Sequence, residues 1–510
     1  MKILDSIFIC QQKREKIQPI ITILVFCFFI FMMVFNLMHS SLWGDEWVEY
    51  YYSQSSILNG EMYSRVISTF QPPLYNFVMH FWLMISDSIV WFRLFNVFVG
   101  LLSGIFYFLS LRELYNCNIA RLGLIGLAAC YQWVYCIQEC SEYTLMLFSL
   151  FGALYFFIKC HKCYKFYKMF FFVLFCVMAM YSQYGAAFVV GPILFVFYFA
   201  NIFSKRISKD TKIRITITYI LFFISFALPL YFSYLRIQLA NNQIATNSID
   251  FSVNSILKFP IMLGKIIGYL FSFNIDRVPQ QIFWSVISVI FIVGMLIAMK
   301  INKGNLTKRL LLLSFVVCCL LHFVLVEMQI YAMVHPGVSA GFYSRYSYFY
   351  IPFLCVIIPI VVVDLMKGIA HKYERLLFTI LFTCIAGIIL ANSIQNTLKN
   401  WNKSYANEIA EVWLANEGWK EKTFLFGTAD LGAKYLVSGS NEDKNGYTDN
   451  MTSIIDYDNL PEAFWAWRTD WDGDGWQIIV DKAKASNYIV DIYINKGTAG
   501  QLAHCYFNKG

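Results

Sequence analysis

Two adjacent carboxylates, Asp45 and Glu46, follow closely on a long apolar run, Pro19–Met38, and stand near the start of a polar stretch, Trp43–Tyr75. Paired carboxylates are suited to proton transfer. At the exit of a membrane helix they lie where water meets lipid headgroups, within reach of a substrate that is itself anchored in lipid. Further along comes Gln71-Pro72-Pro73-Leu74-Tyr75. Its two prolines fix φ and remove two backbone donors, so the chain must turn there before an apolar helix begins.

The elements that must position these residues are set by composition. The chain has 510 residues, 58% hydrophobic, 19% aromatic and 14% charged. Soluble domains carry about 25% charged residues, so the expected fold class is an all-α polytopic membrane protein. The net charge of +8 follows from membrane topology rather than from nucleic-acid binding, because Lys and Arg collect in particular loops. Lys13, Arg14 and Lys16 precede the first apolar run, which is too long for a signal peptide and lacks a small-residue cleavage site, so it reads as a signal anchor.

Apolar runs of spanning or near-spanning length recur at 89–111, 119–137, 142–158, 166–182, 184–200, 213–235, 282–299, 310–331, 346–363 and 376–394, which with the first makes eleven expected helices. The 74–86 segment is too short to span and reads as interfacial or re-entrant. Basic residues mark alternate loops: Lys159, Lys162, Lys165 and Lys168; then Lys205, Arg206, Lys209, Lys212 and Arg214; then Lys300, Lys303, Lys308 and Arg309; then Lys367, Lys372 and Arg375. The rule that cytosolic loops are basic places the N-terminus in the cytosol, and Trp43–Leu74, the 236–281 loop and the tail outside; the expected location is a cell membrane, of bacterial type. Glu327, at the outer end of its run, is an acid within an apolar segment.

From Asn396 onward the composition turns polar and reads as a small extracytoplasmic α/β domain, 396–510. The membrane domain is then 1–395, including an external loop at 39–74. Expected tail elements are a helix at 406–416, a strand at 423–427, a helix at 429–437 and a strand at 488–494. The fourteen cysteines are scattered and imply no disulfide framework. Cys160 and Cys163 have CxxC spacing but sit in a basic loop without a second ligand pair, so no metal is expected. Asp470, Asp472, Asp474 and Asp481 partly match a calcium-binding loop. Asp481 replaces the usual bidentate Glu and no flanking helix pair is evident, so a plain acidic turn is the preferred reading and no cofactor is expected.

An Asp-Glu pair after the first helix, followed by Pro-Pro-Leu-Tyr before an apolar helix, resembles the GT-C superfamily that includes protein O-mannosyltransferases and lipid A aminoarabinose transferases. Two later segments are similar as well: Gln138-Glu139-Cys140-Ser141-Glu142-Tyr143, and Ser344-Arg345-Tyr346 with Pro352 downstream. The resemblance covers residues 18–395. It implies a GT-C fold and transfer of a sugar from a polyprenyl-phosphate donor, held with membrane lipids, to a lipid, glycan or protein acceptor on the outer face.

On that reading Asp45 is the base for an in-line, inverting attack, and Glu46 orients it; alternatively the two only cap a short helix, with Asp45 at the N-cap. Arg345 is the cation for the donor phosphate, because a guanidinium fork matches phosphate oxygens; the other reading is a snorkelling arginine. Tyr346 and Arg65 accompany it as donor contacts. Gln71, Glu139, Tyr143 and Gln183 are expected at the substrate. Ser141 stands where the family has Arg, and Gln183 where relatives often have His, so the sugar does not carry over from the family. Chemistry is expected in the membrane-facing loops. The tail, with Phe464, Trp465, Trp467, Trp471 and Trp476, either stacks on sugars or uses these rings as its own core.

A multi-pass transporter or flippase would share the apolar composition and basic loops. Transporters usually break paired helices in repeated halves, whereas here no internal repeat is found and the chemically suited residues gather on one side.

Overall fold

The computed structural model describes residues 17–35, 37, 42, 44–69, 71–205, 207–241, 253–271, 278–328, 344–369, 371–399, 405–427, 429–438, 446–469, 475–496 and 500–507. The chain forms two compact units, one from Met1–Phe35 and Ser56–Lys399, the other from Asn36–Ser55 and Asn400–Gly510. The second unit takes up the chain again at Asn400, and the 39–74 segment is divided between the two. Its first part, up to Ser55, joins the C-terminal unit because its aromatic face packs there.

The described part of the first unit is helical, with a helix at every expected run. Among the described residues seven helices are long and apolar enough to cross a membrane: Ile89–Leu114, Glu142–Lys162, Tyr184–Ile202, Lys209–Ala240, Val278–Gly304, Leu306–Val326 and Tyr350–Gly368. The 119–137 run is two helices, Cys117–Ala128 and Tyr131–Gln138, bent by 66° and adding an eighth span if counted as one. Eleven spans are therefore not reached by length and composition. Gln18–Val34 and Phe166–Ser182 fall short, since 17 residues at about 1.5 Å each give roughly 26 Å against a hydrocarbon core of about 30 Å. The Leu74–Leu83 helix is too short to span, as expected. An apolar helix at Phe259–Leu270, inside the segment read as an external loop, is an addition.

Lys209–Ala240 has only 11% of its apolar window buried, a surface that requires lipid rather than water. Glu142–Lys162 is the opposite, 78% buried. Its Gly152 lets Phe175 of the following helix lie against the backbone, where a Cβ would be 2.5 Å from the ring. At the basic-loop end, Lys308 donates to both oxygens of Asp364 at 2.9 Å and Asn302 donates to the same carboxylate at 2.7 Å. All three are buried. Lys308, read from sequence as a loop charge, instead ties the Leu306–Glu327 helix to Tyr350–Gly368.

The second unit contains a five-stranded sheet: β1 (Lys422–Gly427), β2 (Met451–Thr452), β3 (Ala463–Thr469), β4 (Ile489–Asn495) and β5 (Gln501–Tyr506), in the order β2-β1-β3-β5-β4. β1 is parallel to β2 and β3, whereas β5 is antiparallel to β3 and β4. Helices at Ala406–Ala415 and Ala429–Ser438 fill one hydrophobic cluster with Trp413, Trp465 and Trp467; Gly475–Ala485 fills the other with Phe464 and Trp476. Phe464, Trp465, Trp467 and Trp476 are at most 2% exposed. These rings are the domain's core, which favours the second of the two readings of the aromatic cluster. Trp471 lies outside the described residues, as do Asp470, Asp472 and Asp474 of the partial calcium loop. Asp481 sits within a helix and accepts a bond from Gln477 at 2.8 Å.

Candidate active site

In the first unit, the site is built where the bent helix pair ends. Glu139 terminates the Tyr131–Gln138 helix in an extended conformation and is 0% exposed. The preceding Gln138 donates its amide to the carbonyls of Met33 and Phe35 at 3.0 and 2.9 Å, supplying partners for carbonyls that the end of the first apolar helix leaves open. Glu139 then turns into the buried interior, and Asn96 fixes its backbone by donating to its carbonyl at 2.5 Å.

Arg345, more than 200 residues away in sequence, donates from Nη2 to Glu139 Oε1 at 2.6 Å. The Arg345 side chain is 10% exposed and that of Glu139 0%, so this is a buried ion pair and not a snorkelling arginine. The guanidinium also lies over the Tyr143 ring at 5.3 Å, and Tyr143 meets Tyr348 edge-on at 5.2 Å. Three of the expected residues, Glu139, Tyr143 and Arg345, are thus brought together. Tyr346, on the same Ser344–Ser347 turn, is half-buried.

Around this pair the hydroxyls of Ser141, Ser347 and Tyr348 are buried and have no hydrogen-bond partner among the described residues. Ser141 occupies the N-cap of the Glu142–Lys162 helix without making the usual cap bond. Buried hydroxyls left unbonded cost free energy, and together with a helix N-terminus and a guanidinium they suit an anion's oxygens.

The other expected residues are placed differently. Arg65 pairs with Glu61 one turn earlier, Nη2 to Oε1 2.8 Å, both about two-fifths exposed. Such an i,i+4 pair contributes only tenths of a kcal/mol, about 0.3–0.5. Gln183 accepts a bond from the Gly185 amide and so caps the short Tyr184–Ala186 turn. Gln71 is held through its backbone: the fully buried Gln238 donates to its carbonyl at 2.7 Å and to that of Val66 at 2.9 Å, and accepts from Tyr184 at 2.5 Å. Gln238 lies in a segment read as loop, so nothing in its neighbours marks it. Arg93, 3% exposed in the Ile89–Leu114 helix one turn before Asn96, was legible as a cation at the start of an apolar run and was missed.

In the second unit, Asp45 and Glu46 lie in the first turn of the Gly44–Gln54 helix. Asp45 is therefore inside the helix and not its N-cap. Acids in a first turn complement the helix dipole. Their environments differ: Asp45 is exposed, whereas Glu46 is 1% and Glu49 3% exposed. Glu49, one turn on, is a buried acid that the sequence reading passed over.

A family profile for dolichyl-phosphate-mannose-protein mannosyltransferases matches residues 70–231, which include both the Pro-Pro-Leu-Tyr and Gln-Glu segments. A search of curated protein sequences finds no match. Among solved structures, apo ArnT from Cupriavidus metallidurans is similar over 95% of this chain and 97% of its own, with a TM-score of 0.53 and 11% identity. The apo oligosaccharyltransferase of Archaeoglobus fulgidus is similar over 84% of this chain, with a TM-score of 0.50 and 12% identity. This chain covers 64% of that archaeal protein's length. The chain has a GT-C membrane fold with a small C-terminal sheet domain, and it resembles the mannosyltransferases and ArnT.

Proposed function

We propose that this GT-C-type membrane protein transfers a sugar from a polyprenyl-phosphate donor to an acceptor hydroxyl on the outer face of the membrane, with inversion at the anomeric carbon. The observation that carries the reading is the buried Arg345–Glu139 pair, which joins two distant segments beside three buried hydroxyls that have no partner among the described residues. A membrane protein retains such charges at a helix end chiefly for function. The family profile, named for a dolichyl-phosphate-linked sugar, supports the donor class.

Arg345 is assigned to the donor phosphate. Glu139 neutralises it in the resting protein and fixes the plane of the fork. A guanidinium has five N–H donors, so it can meet a phosphate oxygen pair while one N–H stays on Glu139. Ser141, Ser347 and Tyr348 are assigned as further donors, with Tyr143 and Tyr346 against the donor head; Arg65, Gln71 and Gln183 are assigned to shaping the surrounding turns.

Asp45 is assigned as the base. It takes the acceptor's hydroxyl proton while that oxygen bonds to the anomeric carbon, and the bond from this carbon to the phosphate oxygen breaks with its electron pair. Polyprenyl phosphate is a good leaving group and needs no proton. Asp45 suits this role by exposure, and Glu46 stays as its buried neighbour. No metal or cofactor is assigned.

The test is transfer from a labelled polyprenyl-phosphate sugar by the purified protein in lipid nanodiscs. Product with inverted configuration, lost in Asp45→Asn, is expected. Movement of the lipid across vesicles without any product would overturn the reading in favour of a flippase.

A further inference from the structure

The helix that carries Asp45 and Glu46 belongs to the same compact unit as the C-terminal sheet, and the contact responsible is specific. Trp47, the residue after Glu46, is 2% exposed and Tyr50 is 0%. On the Ala429–Ser438 helix, Tyr435 meets Trp47 at 5.4 Å and Tyr50 edge-on at 5.6 Å between ring centroids. Trp47 meets Tyr50 at right angles at 5.8 Å and stacks on Tyr51 at 6.0 Å. Below the indole lies Gly432. A Cβ added there would sit 2.4 Å from Trp47 Nε1 and 2.5 Å from Cε2, so the ring rests directly on the helix backbone and only glycine leaves room for it.

We propose that the Ala429–Ser438 helix is the platform that sets the position of Asp45, with Gly432 and Tyr435 as positioning residues for the transfer reaction and Trp47 as the pin; the proposal rests on the glycosyltransferase reading above. Trp47 and Asp45 share one helical turn, so a displacement of the indole is passed to the carboxylate by a rigid element. An added Cβ at Gly432 forces the ring back by about 1 Å to reach ordinary contact at 3.4 Å, and misplacing a reacting group by about 1 Å lowers rate by roughly 100-fold. Donor binding, assigned to residues of the other unit, is not altered by that shift. The tail thereby acquires a role distinct from guiding the acceptor: it holds the base.

The experiment uses the full chain in nanodiscs. Gly432→Ala should lower kcat by about 10- to 100-fold with the KM for donor within a factor of about two. In that background Trp47→Phe removes the part of the ring that meets the new methyl and should recover at least about five-fold of the lost kcat. An unfolded fraction also lowers apparent kcat at constant KM, so turnover is referred to the folded fraction measured by thermal melting, and a loss accounted for entirely by unfolded protein overturns the proposal. Wild-type kcat in Gly432→Ala, or no recovery in the double variant, overturns the proposal.

Hydrogen exchange separates this from the reaction itself. Gly432→Ala should speed amide exchange in 44–54 and leave the Glu142–Lys162 helix unchanged, whether or not the protein transfers sugar. Unchanged exchange in 44–54 overturns the platform. Faster exchange there in a protein that shows no transfer even as wild type leaves the platform standing and overturns the enzymatic reading instead.

Discussion

Replacing Arg345 by alanine is expected to do two separable things, destabilise the membrane unit and abolish donor use. The magnitude of the first follows from the geometry. At 2.6 Å and an effective dielectric of about 20, the pair attracts with roughly 6 kcal/mol. Removing each ion from water costs several kcal/mol, so the intact pair contributes little net stability. Alanine removes that attraction from Glu139, which is 0% exposed, and breaking a buried pair from one side costs about 3–5 kcal/mol. The double variant Glu139→Gln with Arg345→Met carries no charge and keeps similar volume, so it should melt well above Arg345→Ala and near wild type. Both should lack transfer activity, because neither offers a guanidinium to the phosphate. Thermal melting in detergent and transfer in nanodiscs read the two effects. A double variant that melts below Arg345→Ala would refute the broken-pair argument, and an active double variant would refute the phosphate assignment.

Asp45→Asn should lose transfer by about 100-fold or more, as loss of a positioned base implies, in a protein that still folds; retained transfer sinks the assignment. At the opposite pole of the membrane unit, Asp364→Ala strands the buried Lys308 ammonium and should cost about 3–5 kcal/mol, while Asp364→Leu with Lys308→Met should recover most of it; equal melting of the single and double variants would contradict the buried-pair account. Deleting 400–510 strips the cover from Trp47 and Tyr50, so transfer should vanish even to a simple acceptor, against the expectation that loop chemistry survives without the tail. A folded truncation that still transfers would restore that expectation. Cys505, fully buried with its thiol pushed up to about 12 by that burial, should resist maleimide at pH 8 in the folded protein and react only on denaturation; prompt native labelling would contradict the described core.

What was legible in the sequence is what depends on neighbours along the chain. Apolar length gave the helices, and the Pro72-Pro73 turn gave the short helix after it. Pairings across the fold were not legible. Lys308 and Asp364 lie 56 residues apart, and Lys308 reads as one more basic loop residue until the helices close around it. Glu139 and Arg345 were each marked, but their direct pairing was not, since either could have met a substrate instead. In the tail, β3 reads Ala-Phe-Trp-Ala-Trp-Arg-Thr and is buried on both faces after its first residue. A central strand covered on two sides shows no alternation, so the period-2 signal that identifies strands is absent.

The segment that carries the proposed base shows the same limit. Asp45 and Glu46 are neighbours of nearly equal chemistry, and sequence alone separates them only by analogy. Their surroundings separate them by burial. The Gly44–Gln54 helix turns Trp47, Tyr50 and Ser53 inward and takes Glu46 and Glu49 with them, while Asp45 stays exposed. A base must reach both the acceptor hydroxyl and, after transfer, the water that carries its proton away. Glu46, at 1% exposure, has neither access. The buried face exists because aromatic side chains on residues 47–51 find Gly432 and Tyr435 nearly four hundred residues later, so in the proposed reaction the choice between the two acids follows from the fold of the C-terminal unit and not from the dipeptide that carries them.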